Sequence, residues 1–260
     1  MRITLGEIKL FRSLQQKKFR QAERKFVIEG WYGLQEALSS DAVIELIVLA
    51  EDSPMPKQHR SMLDQIQKQR IPVREATPFD LKKITETVHT QGVAALVHQH
   101  GSTLNSLNLK QATLFVGLDA VSDPGNLGSI IRSADWFGAD ALLLGSGCVE
   151  LYNEKVVRST VGSLFHFPIV ENLSLVETIA QMKLHGFIAS ALTADGDLNY
   201  HRLDPSEKHF LIFGSEAHGV SPEVRQICDR AVQIPRFGKA ESLNVGVACG
   251  ITLAQIKAIH

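Results

Sequence analysis

The stretch TLFVGLDAVSDPGNLGSIIRSADWF, Thr113–Phe137, decides the fold. Thr113–Leu118 is an apolar run of strand length, the pattern of a strand buried on both faces. The loop Asp119–Asn126 follows, where Pro124 and Gly125 turn the chain and Asn126 stands where a helix cap belongs. The helix expected next, Leu127–Phe137, sets Leu127, Ile130, Ile131, Ala134 and Phe137 on one face. Arg132 lies almost two turns into it, off that face.

The same alternation continues outward. Ala141–Leu144, Phe187–Ser190, Phe210–Phe213 and Ala231–Ile234 read as further buried strands, and a helix over about Leu243–Ile259 ends the chain. Apolar strands separated by helices imply an α/β fold, a parallel sheet covered on both faces. Upstream, residues 7–22 carry Ile8, Phe11, Leu14 and Phe19 at helical spacing. Strands are expected at Phe26–Glu29, Ile44–Ala50, Ile71–Val73 and Val93–His98, and helices at Gly30–Ser39, Gln58–Gln69 and Phe79–Thr87. Thr77 caps the last of these, with Pro78 in its first turn. The polar, aperiodic segment HQHGSTLNSLNLKQ, His98–Gln111, marks a boundary. The expected division is a smaller N-terminal α/β domain, 1–98, a linker, 99–110, and a C-terminal domain, 111–260.

Composition excludes several classes. Hydrophobic residues make up 44% and charged residues 21%, as in ordinary globular proteins. No apolar window approaches the length that spans a bilayer, and the opening MRITLGEIKLFRSLQQKKFR is too charged for a secretory signal. Cys148, Cys228 and Cys249 are odd in number and far apart, which implies a reducing cytoplasm, no disulfide framework and no metal site. Net charge is −1, but Met1–Gly30 sets Arg2, Lys9, Arg12, Lys17, Lys18, Arg20, Arg24 and Lys25 against Glu7, Glu23 and Glu29. A local basic face of this kind can hold phosphate, or be no more than a solvated helix surface. The phosphate-cradling GxxxxGK[ST] loop and the GxSxG elbow are absent, and Glu150 occupies the third glycine position after Gly145-Ser146-Gly147.

Three loops remain, each at the C-terminal end of an expected strand, where open α/β sheets place ligands. The first is Asp119–Arg132, whose helix start and guanidinium together suit an anion. The second, FGSEAHG over Phe213–Gly219, has Gly214 and Gly219 to turn the backbone and Glu216 between them. The third, IPRFGKAESLNVGVA over Ile234–Ala248, puts Ser242 and Asn244 at the start of the last helix. Taken singly, each also fits a plain capped helix or turn.

Together, DPGNLGSIIRSA, GSEAHGVS and IPRFGKAESLNVGVA resemble the three ordered motifs of the SPOUT class, in its SpoU/TrmH branch of RNA 2′-O-ribose methyltransferases. The likeness is strong over about residues 110–260. KLFRSLQQKKFRQAERKFVIEG is more weakly similar to the start of that family's ribosomal-protein-like substrate-binding domain. Arg236 stands where the family usually has an apolar residue, and Gly246 where it has Ser or Ala.

The resemblance implies a deep C-terminal trefoil knot, otherwise nearly absent from proteins. It implies S-adenosylmethionine as cofactor, contacted by Leu192, Thr193, Gly214, Gly219, Ile234 and Leu243. It implies methylation of a ribose 2′-hydroxyl, with Arg132 as base or as phosphate clamp and with Asn126, Glu216, Ser242 and Asn244 orienting it and the nucleotide. It implies a homodimer, and an N-terminal domain that holds RNA, ribosomal RNA before transfer RNA, through Lys17, Lys18, Arg20 and Arg24. The competing readings are a non-catalytic RNA-binding or ribosome-assembly protein, a transfer-RNA 2′-O-methyltransferase, and a base methyltransferase, which the ESLN of the third motif disfavours.

Overall fold

The computed structural model describes residues 1–51, 59–87 and 90–258. They gather into two compact units, Met1–His100 with Tyr152–His166, and Gly101–Leu151 with Phe167–His260. The C-terminal domain expected as one continuous stretch therefore lends a short segment to the first unit.

The first unit begins with α1 (Leu5–Ser13), closed at its start by a capping box in which Thr4 and Glu7 satisfy each other's backbone N–H. Then come α2 (Lys17–Glu23), β1 (Lys25–Glu29), α3 (Trp31–Leu38), β2 (Ile44–Ala50), α4 (Ser61–Lys68), β3 (Val73–Ala76), α5 (Pro78–Ile84) and β4 (Val93–His98). The four strands form a sheet in the order β1-β4-β2-β3, with only β2 and β3 parallel. The single helix expected over 7–22 is two helices, because Gln16 has extended backbone between them. Arg20 is the physical reason the break is stable. It is 4% exposed, and its guanidinium donates to the carbonyls of Leu14 at 2.7 Å and Gln15 at 2.9 Å, which the end of α1 leaves open. Ile8, Phe11 and Leu14 are buried as expected, but the break turns Phe19 outward. The third strand starts at Val73, where the register with β2 begins, and not at Ile71. Helix α4 starts at Ser61; Gln58, the expected start, lies outside the described residues.

The second unit opens with β5 (Leu114–Asp119), α6 (Pro124–Trp136) and β6 (Ala141–Gly145). The chain then visits the first unit through α7 (Glu154–Ser159), and returns for β7 (Ile169–Leu173), α8 (Leu175–Leu184), β8 (Phe187–Leu192), β9 (Leu198–Asn199), β10 (Lys208–Gly214), α9 (Pro222–Ile227), β11 (Arg230–Gln233) and α10 (Val245–Ile256). The end of α10 falls before Ile259, the expected end, which lies outside the described residues. The seven strands form one parallel sheet, β7-β6-β5-β10-β8-β11-β9. Gly117 lets β5 sit beside β10, since a Cβ there would stand 2.8 Å from the Phe210 ring. On one face Phe115, Phe187, Ala189, Phe210 and Ile212 share a core with Ile179 and Met182 of α8 and Val224 of α9. Burial of such side chains stabilises by about 1.5–3 kcal/mol each before chain entropy is subtracted.

In the first unit, α7 carries Glu154, which is 7% exposed. Burial pushes its carboxyl up to about 8, helped by hydrogen bonding and repulsion from Glu86 and by the charge of Glu29, while Arg158 pulls the other way.

Candidate functional site

The C-terminal ends of β5, β10, β8 and β11 lie side by side in the second unit, so the three loops singled out in sequence leave the same sheet edge. Helix α6 begins three residues earlier than expected. Asp123, not Asn126, is its cap, accepting from the Asn126 N–H at 2.8 Å, and Pro124 takes the first position, where its fixed φ suits a helix and no N–H is needed. The sequence signal was present in the Asp-Pro pair and was outweighed by Asn126.

With Asp123 as the cap, the Asn126 side chain is free for other partners. Its Nδ2 donates to Glu216 Oε1 at 2.7 Å, and its Oδ1 accepts from Asn244 Nδ2 at 2.9 Å. Asn244 in turn caps α10, its Oδ1 accepting from the N–H of Gly246 and of Val247. One residue from each loop therefore enters a single hydrogen-bonded chain. Partial burial pushes the Glu216 carboxyl up, but hydrogen bonds from Asn126, from its own N–H and from those of Ser122 and Asp123 outweigh it and hold the group below the usual carboxylate range. Glu216 is thus ionised at neutral pH. Asp119, which sequence reasoning left without a role, accepts from the Ser221 N–H at 2.7 Å and ties the first loop to the start of α9.

Arg132 is the ninth residue of α6, exposed, and its guanidinium is hydrogen-bonded to none of the described residues. At 1.5 Å per residue it sits about 12 Å along the axis from Pro124. The Asp123 carboxylate caps the helix start, where the expected joint anion site with the guanidinium would lie. Ser242 is exposed in the third loop and does not join the chain.

The six expected cofactor positions are placed as follows. Leu192 ends β8, and the Thr193 N–H donates to the Val232 carbonyl at 2.9 Å. Gly214 ends β10, and the loop returns at once: Ser215 and Gly219 exchange backbone hydrogen bonds of 3.0 and 2.9 Å. A Cβ on Gly214 would lie 1.9 Å from the Gly219 carbonyl carbon, so this glycine is required by the turn itself. Gly219 has φ +69°, and a Cβ there would meet nothing within 4 Å. Ile234 follows β11 half-buried, and Leu243 is 48% exposed. None of the six carries a basic side chain, and three offer apolar surface beside backbone amides. That donor set fits a cofactor that is cationic at sulfur and has no phosphate.

Gly246 has a packing reason. A Cβ there would stand 2.7 Å from Ser129 Oγ, so glycine lets α10 lie close against α6. In the first unit, Lys17, Lys18 and Arg24 are exposed. Arg20 is not available to a ligand, being buried against the end of α1, and its assignment to RNA is corrected on that ground. Among the described residues no cluster of His, Cys, Asp or Glu could hold a metal ion, and no described helix is long and apolar enough to cross a membrane.

Comparison with known proteins gives a consistent picture. Residues 113–254 match the model of the SpoU rRNA Methylase family, and residues 6–95 match that of the MRM3-like substrate binding domain. The chain is 32% identical, over 96% of its own length and 96% of the relative's, to the 23S rRNA (guanosine(2553)-2′-O)-methyltransferase RlmP of Bacillus subtilis. It is similar to the solved structure of the SpoU methyltransferase AviRb from Streptomyces viridochromogenes in complex with AdoMet, with TM-score 0.86, 26% identity and 97% of each chain covered. It is also similar to an AdoMet-bound rRNA methyltransferase from Sinorhizobium meliloti, with TM-score 0.85, 29% identity, and 98% of this chain and 95% of that one covered.

Proposed function

The chain belongs to the SpoU rRNA methylase family, and on that premise we propose that it methylates a ribose 2′-hydroxyl of large-subunit ribosomal RNA, using S-adenosylmethionine. The observation that carries the reading is the Asn244–Asn126–Glu216 chain, which ties all three family motifs at the ligand edge of the parallel sheet.

Leu192, Thr193, Gly214, Gly219, Ile234 and Leu243 would hold the cofactor, which supplies an electrophilic methyl group on a sulfonium. The protein's own part is to position the nucleotide. Asn126, fixed at both ends of its amide, and Glu216, ionised beside it, define the polar wall. Asn244 locks that wall to α10, and Ser242 offers a free hydroxyl next to it. Arg132, exposed on α6, offers its guanidinium to a phosphodiester of the substrate. Lys17, Lys18 and Arg24 serve as phosphate contacts on the substrate-binding unit.

The knot belongs to this reading. Its support is the path of residues 234–244, which leave β11 beyond β8, and lead to α10, which packs on α6, the helix after β5. A homodimer belongs to it too. Helix α10, VGVACGITLAQI, is apolar almost all round, Val247 is 49% exposed on it, and Trp136 is 83% exposed at the end of α6. A helix apolar on every side is normally covered. The setting is the cytoplasm, where the free thiols of Cys148, Cys228 and Cys249 stay reduced.

The test is incubation of unmodified 23S ribosomal RNA transcript with the protein and methyl-labelled cofactor, then nuclease digestion and mass spectrometry. A single 2′-O-methyl nucleoside is expected; label on a base, or none, overturns the reading. Arg132→Ala should lose turnover while cofactor binding by calorimetry is retained, and wild-type turnover would remove Arg132 from the site.

A further inference from the structure

Phe237 is 97% exposed, more than any other large hydrophobic residue among those described. It lies in the third loop between Arg236 and Lys239, both exposed. Arg236 makes one weak backbone contact, Nη1 to the Ala240 carbonyl at 3.3 Å, which leaves the rest of its guanidinium open. The loop follows β11 and leads directly into Ser242 and into Asn244 of the polar wall. A phenyl ring held wholly in water, in a loop that also carries Arg236 and Lys239, offers an open face on which a ligand can stack. The charge pattern selects the ligand. A ring flanked by Arg and Lys matches an unpaired nucleotide, whose base stacks on the ring while the adjoining phosphates meet the cations.

We infer that Phe237 is a stacking platform for an unpaired base of the RNA substrate next to the methylated nucleotide, with Arg236 and Lys239 on the flanking phosphates. The platform rests on the proposed RNA methylation and adds its local selectivity: the substrate must offer a splayed base beside the target ribose. Arg236 and Phe237 thereby set this chain's preference through residues that bear neither on the cofactor positions nor on the Asn126 chain.

The test uses the full-length protein with unmodified 23S ribosomal RNA transcript, and the variants Phe237→Ala and Phe237→Trp. Loss of one stacked base should weaken RNA affinity of Phe237→Ala by about 5- to 150-fold. Cofactor affinity by calorimetry and molar mass by light scattering should stay as in wild type. Phe237→Trp should restore affinity, and its added fluorescence should be quenched by the RNA beyond the change that wild type shows. Unchanged RNA affinity in Phe237→Ala overturns the platform while leaving methylation standing. A loss of cofactor affinity makes the ring a cofactor cover, and a fall in mass makes it a subunit contact; either overturns the proposal. If wild type neither binds nor methylates the transcript, the underlying reading fails and the platform with it.

Discussion

Asn126→Asp is nearly isosteric, yet it replaces the Nδ2 that donates to Glu216 Oε1 at 2.7 Å with an oxygen. The Asn244 hydrogen bond survives, since Asn126 is the acceptor there. Two carboxylates at about 3 Å repel by about 1.4 kcal/mol in water and roughly four times that at an effective dielectric of 20. Glu216 is exposed, so the lower figure is nearer, and the lost charge-assisted bond adds about 1 kcal/mol after the same discount. The penalty is about 2–3 kcal/mol, and it pushes the carboxyl of the pair above the usual carboxylate range. The folded variant therefore holds a proton more tightly than its unfolded chain. Its stability should approach wild type near pH 4, where the pair is protonated, and fall away as pH rises above the usual carboxylate range. Urea denaturation at steps from pH 4.5 to 8 reads this directly, and the difference from wild type at each pH cancels the titration of Glu154. Asn126→Ala is the control, with a loss of about 1 kcal/mol that does not change above pH 5. An Asn126→Asp penalty that is absent at pH 7.5, or constant with pH, would refute the pairing of Asn126 with an ionised Glu216.

Glu154 has its carboxyl raised to about 8, so its contribution is full below the unfolded carboxylate value and is lost as pH rises toward 8; wild-type Tm should fall between pH 5 and 8.5, and Glu154→Gln should flatten that fall. Arg20→Ala leaves the Leu14 and Gln15 carbonyls without their donor and should cost about 1–3 kcal/mol in a denaturation series, with RNA affinity per folded molecule unchanged. Replacing Lys17, Lys18 and Arg24 by Ala should do the reverse, lowering the slope of log affinity against log salt by about two to three phosphate contacts while Tm holds. Gly214→Ala forces a Cβ into the Gly219 backbone and should abolish soluble expression or drop Tm steeply; Gly219→Ala meets open space and should cost only the αL penalty, about 1 kcal/mol, by the same melt.

Legibility in the sequence followed burial. Ile44–Ala50 and Val93–His98 matched the structure residue for residue, because both are apolar strands bounded by polar or turn residues. Strands β7 and β9 escaped notice: Ile169–Leu173 ends in Glu-Asn-Leu, and Leu198–Asn199 is two residues long, so neither leaves an apolar run. Helices α7 and α9 are six residues each, too short for periodicity to register. The break at Gln16 was hidden for a different reason. Arg20 reads as one more surface cation, and only the fold reveals that its charge is spent on two carbonyls. Of the site, Glu216 and Asn244 could be picked out by motif, but their link through Asn126 joins residues 90 and 118 positions apart, which no local pattern can express.

The displaced helix start also changes what the first loop can do. With Asn126 as the cap, the open N–H groups of α6 would have been left for a ligand anion, with Arg132 under two turns away. With Asp123 as the cap, the helix start is already neutralised from within, and Asn126 stands one turn inside, able to turn its amide toward the other two loops. The anion-binding part of this loop then falls to Arg132, about 9 Å further along the helix axis than Asn126. A nucleotide spans that distance comfortably, so ribose recognition at Asn126 and Glu216 and phosphate recognition at Arg132 can be separate contacts of one substrate. That separation predicts that Arg132→Ala and Asn126→Ala, which share no partner among the described residues, lower RNA affinity additively, within about 0.3–0.5 kcal/mol of the sum, in a double-mutant cycle on 23S transcript. A coupling above about 1 kcal/mol would mean that the two side chains act on the same group after all.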